Sequence, residues 1–391
     1  MQSALLVQEN TATGGVTRIT EHLMSGLTAQ GWRTASVSLR GGPWLTRLRA
    51  IWASLGQHNV LIATHNFLPT YATWLLATVS RKPWVMWVHG PVIPVLAMAQ
   101  ARPAKRSFLR WIYQRAPLVV FGSQAAQDSF EQFTWPDDAP PAAGPQLRTV
   151  IHNATAIDHT GLPRRCAPRN DEKLAQQPLQ EPSWRGAAFS REERSDVAGR
   201  NHPEGSVHIG FVGRLSAEKQ PLQLLDLLEQ LPEPFVLHVV GDGPLMTDMQ
   251  RQGQNHLASG RLHLHGAQTV TASTYMDWQA TVLCSAYEGY PMTALESLAC
   301  GVPCVSTPIP AMQEMLQAQA PYMLAARNTP EALAQALIAT LQTPAAQRQQ
   351  DMAAITQAHT PEKFAASWSQ LLHLAIQTHN PPGANAPGPQ T

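Results

Sequence analysis

Short apolar runs alternate with stretches of helical spacing along this chain, and the alternation lapses in mid-chain and then restarts. Residues 4–7, 34–39, 60–64, 84–89, 118–122 and 149–152 read as buried strands. Ile19, Leu23 and Leu27 recur at helical spacing between the first two, and 69–79 and 108–115 read as further helices. After the lapse, 207–212, 235–240, 262–265, 280–285 and 304–306 read as strands, with helices over 222–230, 245–252, 271–278 and 293–299. Apolar strands separated by helices imply parallel sheets covered by helices. The expected fold is α/β, with two Rossmann-like halves facing across a cleft and ligands beyond the strand C-termini.

At 391 residues the chain is long for one core, which agrees with two domains. The expected division is 1–157, an N-terminal Rossmann-like domain, and 206–360, a C-terminal Rossmann-like domain. Between them 158–205 is rich in Pro, Arg, Glu, Gln and Ser without a sustained period, and is expected to be a disordered insertion. Four prolines loosen 136–145, and the tail 380–391 is expected to be disordered. Phe364, Trp368, Leu371, Leu372 and Ile376 have the spacing of a helix over 361–379.

Net charge is +1, but residues 1–150 hold 13 Lys/Arg against 6 Asp/Glu, and the remainder 15 against 21. A basic half beside an acidic half suggests one anionic surface partner. Two basic aromatic stretches, 44–52 and 102–115, suit amphipathic helices at an anionic membrane. No nucleic-acid recognition motif accompanies them. The four cysteines make no disulfide framework and no zinc pattern, as in reducing cytosol. The start lacks signal-peptide character, and no run approaches a membrane span. The expected location is the cytoplasm, including the inner face of the cell membrane.

Chemistry concentrates where loops follow strands. Glu288-Gly-Tyr-Pro-Met-Thr-Ala-Leu-Glu296 places two carboxylates eight positions apart around a loop that opens a helix near Thr293. Converging amides and a helix N-terminus attract phosphate, and carboxylates accept from hydroxyls. An anionic ligand rich in hydroxyls is a nucleotide-activated sugar. Gly14-Gly15 opens the first helix and admits close backbone approach to a phosphate. Arg214 and Lys219, five apart after the strand 207–212, can both turn toward one diphosphate. His89 ends a strand and can meet a sugar hydroxyl or a phosphate. Val240-Gly-Asp-Gly-Pro244 lacks the third glycine of a redox dinucleotide site.

The segment from Ser285 to Thr307 (SAYEGYPMTALESLACGVPCVST) resembles the donor-binding segment of retaining GT-B glycosyltransferases of family 4, the glycosyl transferases group 1. Phe211–Lys219, Gly241–Pro244 and Gly14-Gly15 match further elements of that family, strongly over 207–307 and more weakly over 1–153. The resemblance implies a GT-B fold whose C-terminal helix crosses back to the first domain. It also implies transfer of a hexose or N-acetylhexosamine, with retention, from a nucleoside diphosphate sugar, UDP-sugar above all. The acceptor would be a glycan or a lipid-linked glycan in surface polysaccharide or lipopolysaccharide assembly. No cofactor and no metal are implied. Glu288, Arg214, Lys219 and His89 would carry the reaction. Gly14, Gly15, Gly243, Val270, Gly289, Tyr290, Pro291, Met292, Thr293 and Glu296 would hold the donor, Glu296 on its ribose. The sequence departs from the family at Gln220, where glycine is usual, at His152 and Ala154, and at Thr281. Another GT-B activity (nucleotide-sugar epimerase or sugar-phosphate synthase) and a non-catalytic nucleotide-sugar binder are the rival readings.

Overall fold

The computed structural model describes residues 2–9, 14–41, 43–136, 146–155, 206–233 and 235–379, with the side chains at 44, 45, 47 and 48 left out. The expected insertion 158–205, the tail 380–391 and the loose segment beyond Pro136 lie outside the described residues. The chain divides into two compact units: Met1–Ala156 with Glu288–Met292 and His359–Thr391, and Ile157–Tyr287 with Thr293–Ala358.

In the first unit β1 (Ser3–Gln8), α1 (Gly15–Ala29), β2 (Arg33–Ser38), α2 (Trp44–Gly56), β3 (Val60–Ala63) and α3 (Leu68–Ser80) come first. Then follow β4 (Trp84–Val88), α4 (Val92–Met98), α5 (Pro103–Tyr113), β5 (Leu118–Phe121), α6 (Gln124–Thr134) and β6 (Leu147–Val150). The strands form one sheet in the order β2-β1-β3-β4-β5-β6, and each pairing is parallel. Because successive side chains point to opposite faces, Leu5 and Val7 of β1 join one core and Ala4 and Leu6 the other. The first core is closed by Ile51 and Leu55 of α2, Ala77 of α3, Leu109 and Ile112 of α5 and Phe130 of α6. The second is closed by Ile19, Leu23 and Leu27 of α1 together with the last helix, described below. Strands buried on both faces explain why β1, β3, β4 and β5 read as unbroken apolar runs.

The second unit runs β7 (Val207–Val212), α7 (Gln223–Gln230), β8 (Phe235–Val240), α8 (Met246–Gln252), α9 (Gln254–Ala258), β9 (Leu262–Gly266), α10 (Ala272–Met276) and β10 (Ala280–Leu283). It continues through α11 (Met292–Ala299), β11 (Cys304–Ser306), α12 (Pro310–Leu316), α13 (Pro330–Gln342) and α14 (Ala345–Ala358). Its parallel sheet has the order β11-β10-β7-β8-β9. Leu224, Leu227 and Leu228 of α7 and Leu333 and Leu337 of α13 close one face over Ile209, Leu237 and Val305. On the other face Trp278 lies against Gly210, where any side chain would collide with its ring.

α15 (Pro361–His379) follows α14 and packs on the first unit. Phe364, Trp368, Leu371 and Leu372 enter the core beside α1, and the Trp32 indole Nε1–H donates to Ser369 Oγ at 2.9 Å. Both units are parallel-sheet α/β layers of the GT-B type, with a helical C-terminal segment. Among the described residues no helix is long and apolar enough to cross a membrane.

One test addresses the second sheet. Gly210→Ala forces a methyl into the Trp278 ring and should cost about 1–3 kcal/mol of stability by overpacking. An unchanged urea midpoint would refute that packing.

Candidate functional site

Gly14 and Gly15 stand at the start of α1. Gly14 is extended, and no neighbouring atom would meet a side chain at either position. Gly14, at the N-cap, offers no side chain to cap the helix, and a helix N-terminus is a place where anions bind.

His89 follows β4 directly. Its residue is half-buried, but Nε2 is sealed from solvent and has no hydrogen-bond partner in the protein. Burial holds its pKa well below the usual histidine range, the nearby His65 ring pushes the same way, and a hydrogen bond to the Thr64 main chain opposes them.

The segment Glu288–Met292 clusters with the first unit. Gly289 packs so closely on the His89 carbonyl oxygen that a Cβ would collide with it. Asn153 Nδ2 donates to the Tyr290 carbonyl at 2.8 Å. The Tyr290 ring stacks on His152 at 4.6 Å between centroids and on His359 at 5.3 Å, and Tyr290 Oη lies 2.6 Å from His359 Nε2. Glu288 is half-buried at the mouth of this segment. Tyr290, Pro291 and Met292 are buried. Their side chains are part of the packing of the first unit.

In the second unit the turns after β7 and β8 interlock through main-chain bonds. Gly213 N–H donates to the Val240 carbonyl and Leu215 N–H to that of Asp242, each at 3.0 Å, and Leu245 N–H donates back to Leu215 at 2.9 Å. Gly243 lies against the Leu215 backbone, with no room for a Cβ. Its glycine serves the close approach of two turns. Arg214 projects from this interlock into solvent.

Lys219 ends a short 3-10 turn, Ala217–Lys219, that is fastened to the end of β10. Cys284 Sγ–H donates to the carbonyls of Lys219 and Gln220, at 3.2 and 3.3 Å, and Ala286 N–H donates to Glu218 at 2.8 Å. Gln220 has φ 47°, the left-handed region where glycine is unstrained. The family's glycine at this position has a conformational cause, and this chain carries glutamine in the same backbone state.

Thr293 occupies the first turn of α11, near amides that lack intrahelical acceptors. Glu296, on the same helix, is fully buried, and Tyr275 Oη–H donates to its Oε2 at 2.6 Å. Val270 packs on the cluster containing Tyr275 and Trp278. Sequence reasoning missed Tyr275, because nothing in the spacing of a residue 21 positions away announces a hydrogen bond to Glu296. It also missed a row of histidines across β7, β8 and β9. His208 Nδ1 lies 2.8 Å from His238 Nε2, His238 Nδ1 lies 3.0 Å from His265 Nε2, and His263 stacks on His238. Neutral imidazoles satisfy both links, each ring donating from one nitrogen and accepting at the other. Among the described residues no group of three or more His, Cys, Asp or Glu is placed to hold a metal ion.

With this geometry in view, the comparisons fall into place. Residues 192–358 match the family Glycosyl transferases group 1. This stretch, under half of the chain, is similar to the glycosyl transferases group 1 domain. Lipopolysaccharide 1,6-galactosyltransferase of Escherichia coli (strain K12) is 35% identical over 102 residues, 25% of this chain and 28% of that protein. The Salmonella typhimurium enzyme of the same name is 33% identical over 103 residues, 25% of this chain and 29% of its own. The matched stretch thus spans under a third of these relatives' length. Among solved structures, Anabaena HepE in complex with UDP has a TM-score of 0.69 at 16% identity, covering 96% of this chain and 100% of that one. Lipopolysaccharide outer core galactosyltransferase WaaB in its apo form has 0.58 at 13%, covering 96% and 99%. These structures share the fold. The stretch 192–358 holds Arg214, Lys219, Gly243, Val270, Thr293 and Glu296, together with Glu288.

Two outcomes follow from these environments. His89 is neutral in the fold, whereas in the unfolded chain it takes up a proton as pH falls below its ordinary 6.5. Stability should therefore fall with pH below that value, by up to about 1.4 kcal/mol per pH unit for one such group. Urea unfolding at several pH values should show a shallower decline in His89→Gln, and equal slopes would exclude the assignment. Tyr275→Phe removes a donor to a buried carboxylate and should cost about 1.5–3 kcal/mol. A loss below ~0.5 kcal/mol in the same assay would show that the bond contributes little.

Proposed function

We propose that this protein is a retaining, metal-independent glycosyltransferase that moves a hexose or N-acetylhexosamine from a UDP-sugar to a glycan or lipid-linked acceptor in surface polysaccharide assembly. The observation that carries the proposal is the fixed turn holding Arg214 and Lys219 within the stretch 192–358 that matches glycosyl transferases group 1. Its main chain is tied to β8 on one side and to β10 on the other, so both cations are presented from a preorganised backbone. Preorganised cations act most strongly on charge that develops in the transition state.

In this reading Arg214 and Lys219 stabilise the departing diphosphate, helped by amides at Gly15 and at the start of α11 near Thr293. Arg214 forks two oxygens and Lys219 adds a point charge. These cations take the place of a divalent ion, and the chain has no Asp-x-Asp triplet to hold one. Glu288 orients sugar hydroxyls and supports the oxocarbenium-like centre. His89, at the end of β4, contacts the donor sugar. Glu296, braced by Tyr275, binds the ribose. No protein nucleophile is needed, since the leaving phosphate can take the acceptor's proton on the same face. The first unit contributes the acceptor side, and the protein works in the cytoplasm.

UDP as the donor nucleotide is supported by HepE, a structural neighbour seen with UDP-glucose, and the lipopolysaccharide setting by the two galactosyltransferase relatives. Sucrose-phosphate synthase of Thermosynechococcus elongatus shares the fold at a TM-score of 0.71 and 18% identity, which keeps that activity as a second reading. Product analysis separates them: only transfer to a glycan leaves sugar on a polymeric acceptor.

A thermal-shift screen of nucleotide sugars should find UDP-sugars raising the melting temperature, because a bound donor stabilises the fold by mass action. With the donor identified, Lys219→Ala should lower transfer at least ~100-fold. Turnover like that of the unmodified protein in this variant would overturn the proposed site.

A further inference from the structure

From His22 to Gln127 the chain contains no aspartate or glutamate: 106 residues with eleven Lys/Arg and not one carboxylate side chain, against about seven expected at the chain's own frequency. This stretch supplies α2, α3, α4 and α5. Core residues of α2, α3 and α5 lie together on one face of the first sheet, opposite the face covered by α1 and α15. The α2–α5 part of that layer therefore carries positive charge with no carboxylate of its own; Asp128 and Glu131 lie on the neighbouring α6, where Glu131 pairs with Arg148.

The same helices expose apolar side chains. Leu75 and Val79 on α3 are 53% and 58% exposed, and Phe108 on α5 is 48% exposed. They are parts of two parallel stripes. Tyr71, Leu75 and Val79 recur every four residues along α3, and Phe108 and Trp111 follow helical spacing along α5, with Arg115 just beyond its end. The stripes meet side by side: Tyr71 stacks on Phe108 at 5.4 Å, Trp74 meets Trp111 edge-on at 5.3 Å, and Phe108 stacks on Trp111 at 6.0 Å. Basic groups border them. The Arg115 guanidinium lies over Trp111 at 4.2 Å, Lys105 lies over Phe67 at 5.1 Å, and Arg102 and Lys105 are exposed.

We infer that this α3–α5 face docks on an anionic lipid bilayer, with the aromatic and aliphatic stripes at the headgroup boundary and the basic residues on the lipid phosphates. Charge complementarity selects an anionic partner. The apolar stripes select lipid over nucleic acid. Phe108 and Trp111 already spend ring faces on Tyr71, on each other and on Arg115, and leave little for base stacking. Exposed Leu75 and Val79 gain from leaving water only if the partner has an apolar interior. Of the two stretches that suggested membrane contact in the sequence, 102–115 is part of this face. Within 44–52 the described Trp52 is exposed, while positions 44, 45, 47 and 48 lie outside the described side chains. The contribution of α3 was hidden, because an exposed Leu or Val on an apolar helix reads as core.

The surface is independent of glycosyl transfer, so the two proposals can fail separately. Purified full-length protein, without donor or acceptor, is sedimented with phosphatidylcholine vesicles that contain or lack about one-third phosphatidylglycerol. Binding to the anionic vesicles alone, lost at about 0.5 M salt, is expected. Leu75→Ser with Val79→Ser should lower partitioning at least ~10-fold, as should Arg102→Glu with Lys105→Glu. Thermal melts of both variants establish that they are folded. The inference is overturned by absence of binding, by equal binding to both vesicle types, or by folded variants that bind as the unmodified protein does. It is also overturned if an RNA oligonucleotide binds and the Leu75/Val79 variant binds it equally well while vesicles bind nothing.

Discussion

The contact between the Gly289 main chain and the His89 carbonyl sets much of what surrounds it. Two backbones meet with no side chain between them, so the segment after β10 is placed to within the thickness of a peptide. Asn153, His152 and His359 then secure the next residue, Tyr290, from several sides. In the second unit, Glu296 on α11 meets Tyr275. A flexible loop carrying the same residues would spend binding free energy on ordering itself.

Much of the architecture was legible because strands buried on both faces are written as apolar runs. β7, β8 and β11 have the expected limits, and the other strands differ by one or two residues at their ends. β6 differs most, since an edge strand that is half exposed carries a weak pattern. Helices without contrast between faces were not legible. α13 buries Ala332, Ala334 and Ala336 beside its leucines, so alanine blurs the stripe. α14 buries only Met352 and Ile355, and α4 begins Val-Ile-Pro inside a continuous apolar stretch.

The candidate site was legible where chemistry is carried by residue type: glycines at turns, Arg214 and Lys219 after a strand, Glu288 and Glu296 around a helix start. What was not legible is how those residues are held. Gly243 reads as a ligand-facing glycine but is required by the Leu215 backbone. Departures from the family pattern also acquire reasons in three dimensions. His152 is the platform for Tyr290, and Thr281 Oγ1 lies 2.7 Å from Ser297 Oγ, which ties β10 to α11. Such pairs are formed by residues distant in the chain, and a single sequence carries no record of them.

The placement of α15 bears on how the protein is made. A quarter of the buried residues of one core of the first unit are supplied by α15 (Phe364, Trp368, Leu371, Leu372 and Ala375), more than two hundred residues after β6. A ribosome releases those side chains after the second unit, so during synthesis Ile19, Leu23 and the inward face of β4 stay partly uncovered while the second unit emerges and folds. The first unit is thus begun before the second and completed after it, and its unfinished apolar face is a natural point of engagement for a chaperone.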